Sequence, residues 1–548
     1  MKISNLFLGS LILAAALQAD PTRADRTDLV LLVVIDQLRG AAPESLRERF
    51  GTDGFRYLMD NGVVFGNAQF SHANTVTSAG HATLVTGGNA PQHGMAANDW
   101  YDHELRRPMY CTEDDQSPML HASAAAGRSP RKLTSSTFGD ELVLDSGGRS
   151  RVFSISLKDR AAIIMGGRLG KAYWYDTSTG TFTTSRYYHD ELPAWLEAWN
   201  ASRPADRYRD AVWRLLHPRE TYRHDRDGEK RHVRPRGGHG AAFPHPLGHS
   251  DPAVFYSSLR YSPMGDRLTL DAVAALLDAE QPGNSGGTDV LAVSFSATDY
   301  VGHAYGPYSL EAEDNLLRLD ATLGKLLGIV DRAVGLERTL VVLASDHGVA
   351  PSPELMASRG FDAGRLNPEQ FLPRLNSALT DRFGVDEQLL LAFLKPGLYL
   401  DRDAMARLDL EPAAVERALA DAVTELPGVA GALTRSDILS GNVPETAAAA
   451  RIRAAFHPQR SGDVYVLSDA HWYLSDDPDK NATTHGTPYS YDTHVPLMLA
   501  GPGIEPRRVD RPIAPRDLAP TLSAWLRVPL PSGSVGDVLP EVLANRDD

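Results

Sequence analysis

Across 548 residues the chain has one cysteine, Cys111. A single thiol excludes an intrachain disulfide and every multi-cysteine zinc site, so any metal ligands have to be histidines and carboxylates. Positive charge is also scarce: 55 Lys and Arg face 70 Asp and Glu, a net charge of −15. A nucleic-acid backbone is bound by clustered positive charge, so no nucleic-acid-binding surface is expected, and an anionic substrate has to be drawn by a local positive site. Beyond the N-terminal stretch no segment approaches the ~20 uninterrupted apolar residues of a membrane span. The G-x-x-x-x-G-K-[ST] loop is absent, which rules out nucleotide binding by that route. "GNSGG" (283–287) fits G-x-S-x-G but lies between a helical pattern and a strand, the reverse of the order a nucleophile elbow requires. No internal repeat is found.

What is present begins with "MKISNLFLGSLILAAALQAD". Lys2 supplies a positive start, Leu6 to Leu17 an apolar stretch too short to span, and Ala19 or Ala24 a small residue before cleavage. Residues 1–24 therefore read as a secretory signal, giving a periplasmic or secreted mature protein; an uncleaved anchor or a buried first helix is the competing reading. Short apolar runs then recur as "LVLLVVID" (29–36), "VFSISLKD" (152–159), "VLAVSFSATD" (290–299), "TLVVLASDHG" (339–348) and "VPLMLAG" (495–501). Runs of this kind are buried strands of a parallel sheet, and the helical patterns between them, such as 268–280 and 311–334, predict an α/β sandwich with helices on both faces. Between 361 and 480 helical stretches alternate with strand-like pieces such as "GLYLD" (397–401), which predicts an inserted α+β subdomain. It separates a first core part (25–360) from a C-terminal core part (481–548). The charged stretch 217–240 reads as an exposed loop.

Four of the strands end in Asp, or in Lys and Asp, where ligands bind in open α/β sheets. Asp36 closes the first; Asp299 and His303 form D-x-x-x-H; Asp346 and His347 are adjacent in "SDHG"; and His485 lies in "TTHGTP". Each alone is an ordinary cap or turn residue. Together they supply oxygen and imidazole ligands for two divalent metals, zinc being suited to such a set, and two metals ~3.5–4 Å apart can clamp both oxygens of a phosphoryl transfer. The stretch "TVTSAGHATLVTGG" (75–88) combines hydroxyls, glycines and a histidine before an apolar run. Its small residues suggest a close approach to the backbone, and a helix start there would favour an anion. A threonine hydroxyl needs a base or a metal to become a nucleophile, so from this stretch alone Thr75, Thr77 or Ser78 is more simply a helix cap. Lys158 and Arg160 are two apart, which on an extended chain puts both on one side, where they can grip phosphoryl oxygens or form surface salt bridges.

The set "VVIDQLRG", "TVTSAGHATLVTG", "HGMAANDWYD", "SLKDR", "FPHPLG", "SFSATDYVGHAYGP", "LASDHG" and "THGTPYSYDTHVPLMLAGPGI" runs in order from residue 33 to 504. It resembles the alkaline phosphatase superfamily, and most closely its secreted bacterial zinc phosphatases with a threonine nucleophile. That resemblance implies the superfamily's three-layer sandwich around a mostly parallel sheet. It implies two zinc ions, one held by Asp36, Thr77, Asp346 and His347, the other by Asp299, His303 and His485. His494 competes with His485, which the flanking glycine favours. It also implies that Thr77 carries the phosphoryl group and that Asn98, Lys158 and Arg160 clamp it, the pattern of phosphate monoesterases. Sulfatases of the superfamily need a C/S-x-P-x-R motif, which is not found. The alternatives are a phosphodiesterase or phosphonate hydrolase on the same two metals, or a non-catalytic homologue that binds metal or phosphate.

Overall fold

The fold was determined as a computed structural model that describes residues 27–121, 127–224, 239–474 and 481–544. The signal-like segment and most of the charged stretch 217–240 lie outside the described residues. The central sheet comprises β1 (Leu29–Ile35), β2 (Val63–Gln69), β3 (Val152–Ser156), β4 (Lys171–Asp176), β5 (Thr181–Thr183), β6 (Asp289–Phe295), β7 (Thr339–Ala344), β12 (His494–Ala500) and β13 (Arg507–Val509). Its nine strands lie in the order β13-β2-β12-β7-β1-β6-β3-β4-β5.

Every residue of β1 is buried, and its side chains alternate between two cores. Leu29, Leu31, Val33 and Ile35 enter one together with helices α3 (Pro263–Glu280) and α5 (Leu310–Ala333). Val30, Leu32 and Val34 enter the other with α1 (Thr77–Thr86), α2 (Asp159–Gly166) and α8 (Leu518–Leu526). Period-two alternation on a strand buried on both faces produces a three-layer sandwich, which is why these runs read as continuously apolar.

The neighbours β7, β1, β6, β3 and β4 are parallel. Leu29 pairs with both Asp289 and Thr339, so β1, β6 and β7 stay in step and deliver the residues that follow them to one edge. One expectation needs correcting here: β12 runs antiparallel to both β7 and β2. Its apolar side chains are buried equally well in either direction, so composition carried no sign of its polarity.

A second, four-stranded sheet is formed by β8 (Leu390–Leu394), β9 (Gly397–Leu400), β10 (Val429–Thr434) and β11 (Val464–Ser468). Helices α6 (Pro368–Phe383) and α7 (Pro412–Thr424) cover it through Phe371, Leu375, Leu379, Val415, Leu419 and Val423, a core separate from the other two. Among the described residues no helix is long and apolar enough to cross a membrane.

Candidate active site

Loops at the carboxyl edge of the sheet bring every predicted site residue together. Asp36 follows β1; Asp299 and His303 lie on α4 (Ala297–Tyr305) after β6; Asp346 and His347 follow β7. His485 belongs to the loop that precedes β12. On α4, Asp299 and His303 are four apart and therefore share a face, with His303 Nε2 3.2 Å from Asp299 Oδ1.

The side chains fall into two sets whose possible ligand atoms each lie within 4.8 Å of one another: Asp36, Asp346 and His347, and Asp299, His303 and His485. Each histidine turns Nδ1 to a backbone carbonyl: His347 to Gly348 (3.0 Å), His303 to Thr483 (2.8 Å), His485 to Thr75 (2.8 Å). A proton held at Nδ1 leaves Nε2 as the lone-pair donor, and in all three rings Nε2 faces a carboxylate of its own set. Asp36 Oδ1, Asp346 Oδ2 and His347 Nε2 are buried without a hydrogen-bond partner. Carboxylate oxygens and imidazole Nε2 atoms converging in each set are what a divalent cation with N/O preference requires, so the residues fit zinc.

The electrostatics agree. Burial and the nearby Asp346 push the Asp36 carboxyl well above its usual range. Burial acts the same way on Asp346, but His347 and His81 outweigh it and hold Asp346 low. Burial and His347 push His485 down to about 3, so its ring is neutral and able to ligate. The rings of His347 and His485 stack at 3.6 Å, which joins the two sets. His494, the competing candidate, points its Nε2 at the Gly66 carbonyl (3.0 Å), away from both.

Thr77 is the first residue of α1 and is almost fully buried. The helix cap is Val76, with extended backbone and no side-chain cap bond, so the Thr77 hydroxyl is not consumed in capping. Thr77 Oγ1 lies 3.4 Å from both Lys158 Nζ and Arg160 Nη2. Asn98 Oδ1 accepts from Ser78 N at 3.0 Å, tying the Asn98 amide to the same helix end and leaving its two N–H donors. Lys158 caps α2 and Arg160 stands in that helix's first turn, so the pair is not on an extended chain as its spacing suggested. Both nevertheless reach Thr77, because the chain enters the helix between them. Burial opposes the charge on Lys158, but Asp299 and Asp36, each 2.6 Å from its Nζ, raise its pKa and keep it protonated.

The small residues around Thr77 permit a close approach, and at Gly80 it is the backbone of Asp346 that comes close. A Cβ on Gly80 would meet the Asp346 carbonyl at 2.0 Å, so glycine lets α1 pack against the loop that carries Asp346. Sequence reasoning passed over three supporting residues. His81, one turn after Thr77, places Nδ1 2.9 Å from the Thr77 carbonyl and 3.3 Å from Asp346 Oδ2. Tyr110 accepts from Arg160 Nη1 (3.3 Å) and donates to Asp159 Oδ1 (2.6 Å). Gln37 contacts both acid–histidine sets. The i,i+4 spacing of Thr77 and His81 was a usable signal; nothing in the sequence pointed to the other two.

This architecture defines an α/β phosphate-ester hydrolase of the alkaline phosphatase class: strand-end Asp/His sets flank a hydroxyl at a helix start. Residues 30–491 match the model of the type I phosphodiesterase / nucleotide pyrophosphatase family. The chain belongs to that family, within the alkaline phosphatase superfamily. It is 34% identical over 526 residues to alkaline phosphatase PhoV of Synechococcus elongatus, covering 95% of this chain and 94% of the relative. It is likewise 34% identical to alkaline phosphatase PafA of Elizabethkingia meningoseptica, covering 98% of both chains. The crystal structure of wild-type PafA superposes with a TM-score of 0.87 at 33% identity, over 94% of this chain and 99% of that one.

Proposed function

We propose that the protein is an exported alkaline phosphatase that hydrolyses phosphate monoesters through a phosphothreonine on Thr77, with zinc held by Asp36, Thr77, Asp346 and His347 and by Asp299, His303 and His485. Zinc at such paired sets supplies Lewis-acid charge that lowers the pKa of a hydroxyl nucleophile and offsets charge on the departing oxygen. Thr77 Oγ gives up its proton and attacks phosphorus in line, the ester P–O bond breaks, and the departing alkoxide takes up a proton and leaves as the alcohol. Water then hydrolyses the phosphothreonine to free threonine and inorganic phosphate. Lys158 and Arg160 grip the non-bridging oxygens, with the Asn98 amide as a third donor. Export rests on residues 1–24, which also imply a periplasmic or extracellular location. The mature chain is divided at 361 and 480, a reading supported by the separate core of the second sheet.

The observation that carries the monoester reading is the pair of cations 3.4 Å from Thr77 Oγ1. A monoester brings up to two negative charges to them, whereas a diester brings one and replaces an oxygen with a second organic group. Charge-assisted bonds are worth roughly 1.5–3 kcal/mol each, so losing two costs about two to four orders of magnitude in rate. Lys158→Ala combined with Arg160→Ala is expected to lower monoester kcat/KM by that factor and diester kcat/KM far less. Equal losses on matched substrates would reassign the pair to a generic role and favour the phosphodiesterase alternative.

A further inference from the structure

Gln37 follows Asp36 directly and does two jobs at once. Its backbone N–H donates to Asp346 Oδ1 at 3.1 Å, and its side-chain Nε2 donates to Asp299 Oδ1 at 2.7 Å. One residue thus holds a carboxylate from each acid–histidine set, across 309 and 262 positions of sequence. The next residue continues the strap: Leu38 N donates to Ser345 Oγ at 2.9 Å, and Ser345 Oγ donates to the His347 carbonyl at 2.9 Å. The loop after β1 is therefore pinned to the loop after β7 and to α4.

Two features show that this placement is specific. Gln37 has φ of 69°, left-handed backbone that a side-chain-bearing residue rarely adopts, so the chain accepts strain to aim both donors. Gly302, on α4 between Asp299 and His303, has no space for a side chain: a Cβ there would lie 1.9 Å from Gln37 Oε1. Gln37 is 2% exposed, and its amide sits against bare helix backbone at Gly302. The Gln37 amide is a neutral donor, so it orients Asp299 without adding a charge to the site.

We propose that Gln37 is a positioning residue that fixes Asp299 relative to Asp346, so that the two sets hold their ions as a pair at a set separation, and that Gly302 is the space it requires. The proposal rests on the two-zinc reading above. Removing such an outer partner typically costs about 10- to 100-fold in metal affinity.

The test is zinc titration of chelator-stripped protein, with uptake counted by elemental analysis, for wild type, Gln37→Met (similar length, no donor) and Gly302→Ala. Wild type is expected to take up two zinc ions. Both variants are expected to bind one of the two about 10- to 100-fold more weakly, with some loss of metal-free stability, because Gln37→Met leaves buried Asp299 Oδ1 without this donor and the Gly302→Ala Cβ displaces the Gln37 amide. At saturating zinc, kcat is expected to fall more than KM changes. Wild type with two ions and Gln37→Met with two ions of unchanged affinity overturns the proposal alone. Wild type with fewer than two overturns the two-zinc reading and the proposal with it. Gly302→Ala keeps the question answerable if Gln37→Met does not fold.

Discussion

At the scale of single residues, the chemistry depends on what Thr77 Oγ1 is spared from doing. Val76, not Thr77, caps α1, so the hydroxyl faces two cations, Lys158 and Arg160, instead of its own helix. Thr77→Ser keeps a hydroxyl and is expected to retain substantial activity. Thr77→Ala should lower kcat by roughly three orders of magnitude or more, since nothing remains to accept the phosphoryl group. Acid quenching followed by phosphopeptide mapping checks the assignment directly: phosphate found on Thr75 or Ser78 refutes it. Much of this site was legible in the sequence, because Asp36, Asp299 and Asp346 follow strongly apolar strands, whereas His485 stands in the loop before β12 and Thr77 follows the more polar β2. The carbonyls that orient the histidines, at Thr75, Gly348 and Thr483, were not legible. Any residue has a carbonyl, and only the folded path shows which one faces a ring.

At the scale of elements, α4 presents Asp299, Gly302 and His303, and its position depends on a buried carboxyl in α3. Asp266 accepts from Ala297 N, the first residue of α4, at 3.0 Å. Burial raises its pKa to about 7, against bonds from the Ala297 and Ser296 backbone that lower it. The folded value lies above the unfolded one, so the folded chain binds more protons between the two. The stabilisation is complete below about pH 4 and is lost as pH rises to about 7, a span equivalent to ~4 kcal/mol. Asp266→Asn keeps an acceptor and cannot ionise, so its unfolding free energy should vary less between pH 4 and 8 than that of the wild type. Denaturant melts at several pH values read the slope, and identical slopes refute the assignment. Elements were legible to different degrees. β1, β6 and β7 were found as strongly apolar runs, whereas β2 and β5 were not, since "VVFGNAQ" and "TFT" carry polar residues at partly exposed positions. The helix beginning at Asp159 was taken for extended chain because "SLKDR" continues from a strand with no turn residue between.

For the molecule as a whole, Asp36, Asp299 and Asp346 share one buried space, so on the two-zinc proposal the fold is a partner in metal binding. Removing zinc would then leave these carboxylates facing each other, and a ligand held only by the folded state stabilises it by about 2.7 kcal/mol per site at 100 times its dissociation constant. Chelation should therefore lower Tm on the order of 5–10 °C and abolish phosphatase activity, with zinc restoring both. Calorimetry before and after treatment measures this, and an unchanged Tm would count against buried sites. The sheet order carries a further consequence, one of timing. Both neighbours of β2 come from near the end of the chain: β12 (494–500) on one side and β13 (507–509) on the other. Strand β2 is made more than four hundred residues before either partner exists. Its backbone donors and the apolar face around Val63 and Phe65 remain unpaired throughout. This edge of the sheet therefore closes only after residues 494–509 have been made, whereas β1, β3, β4, β6 and β7 can pair with one another before then.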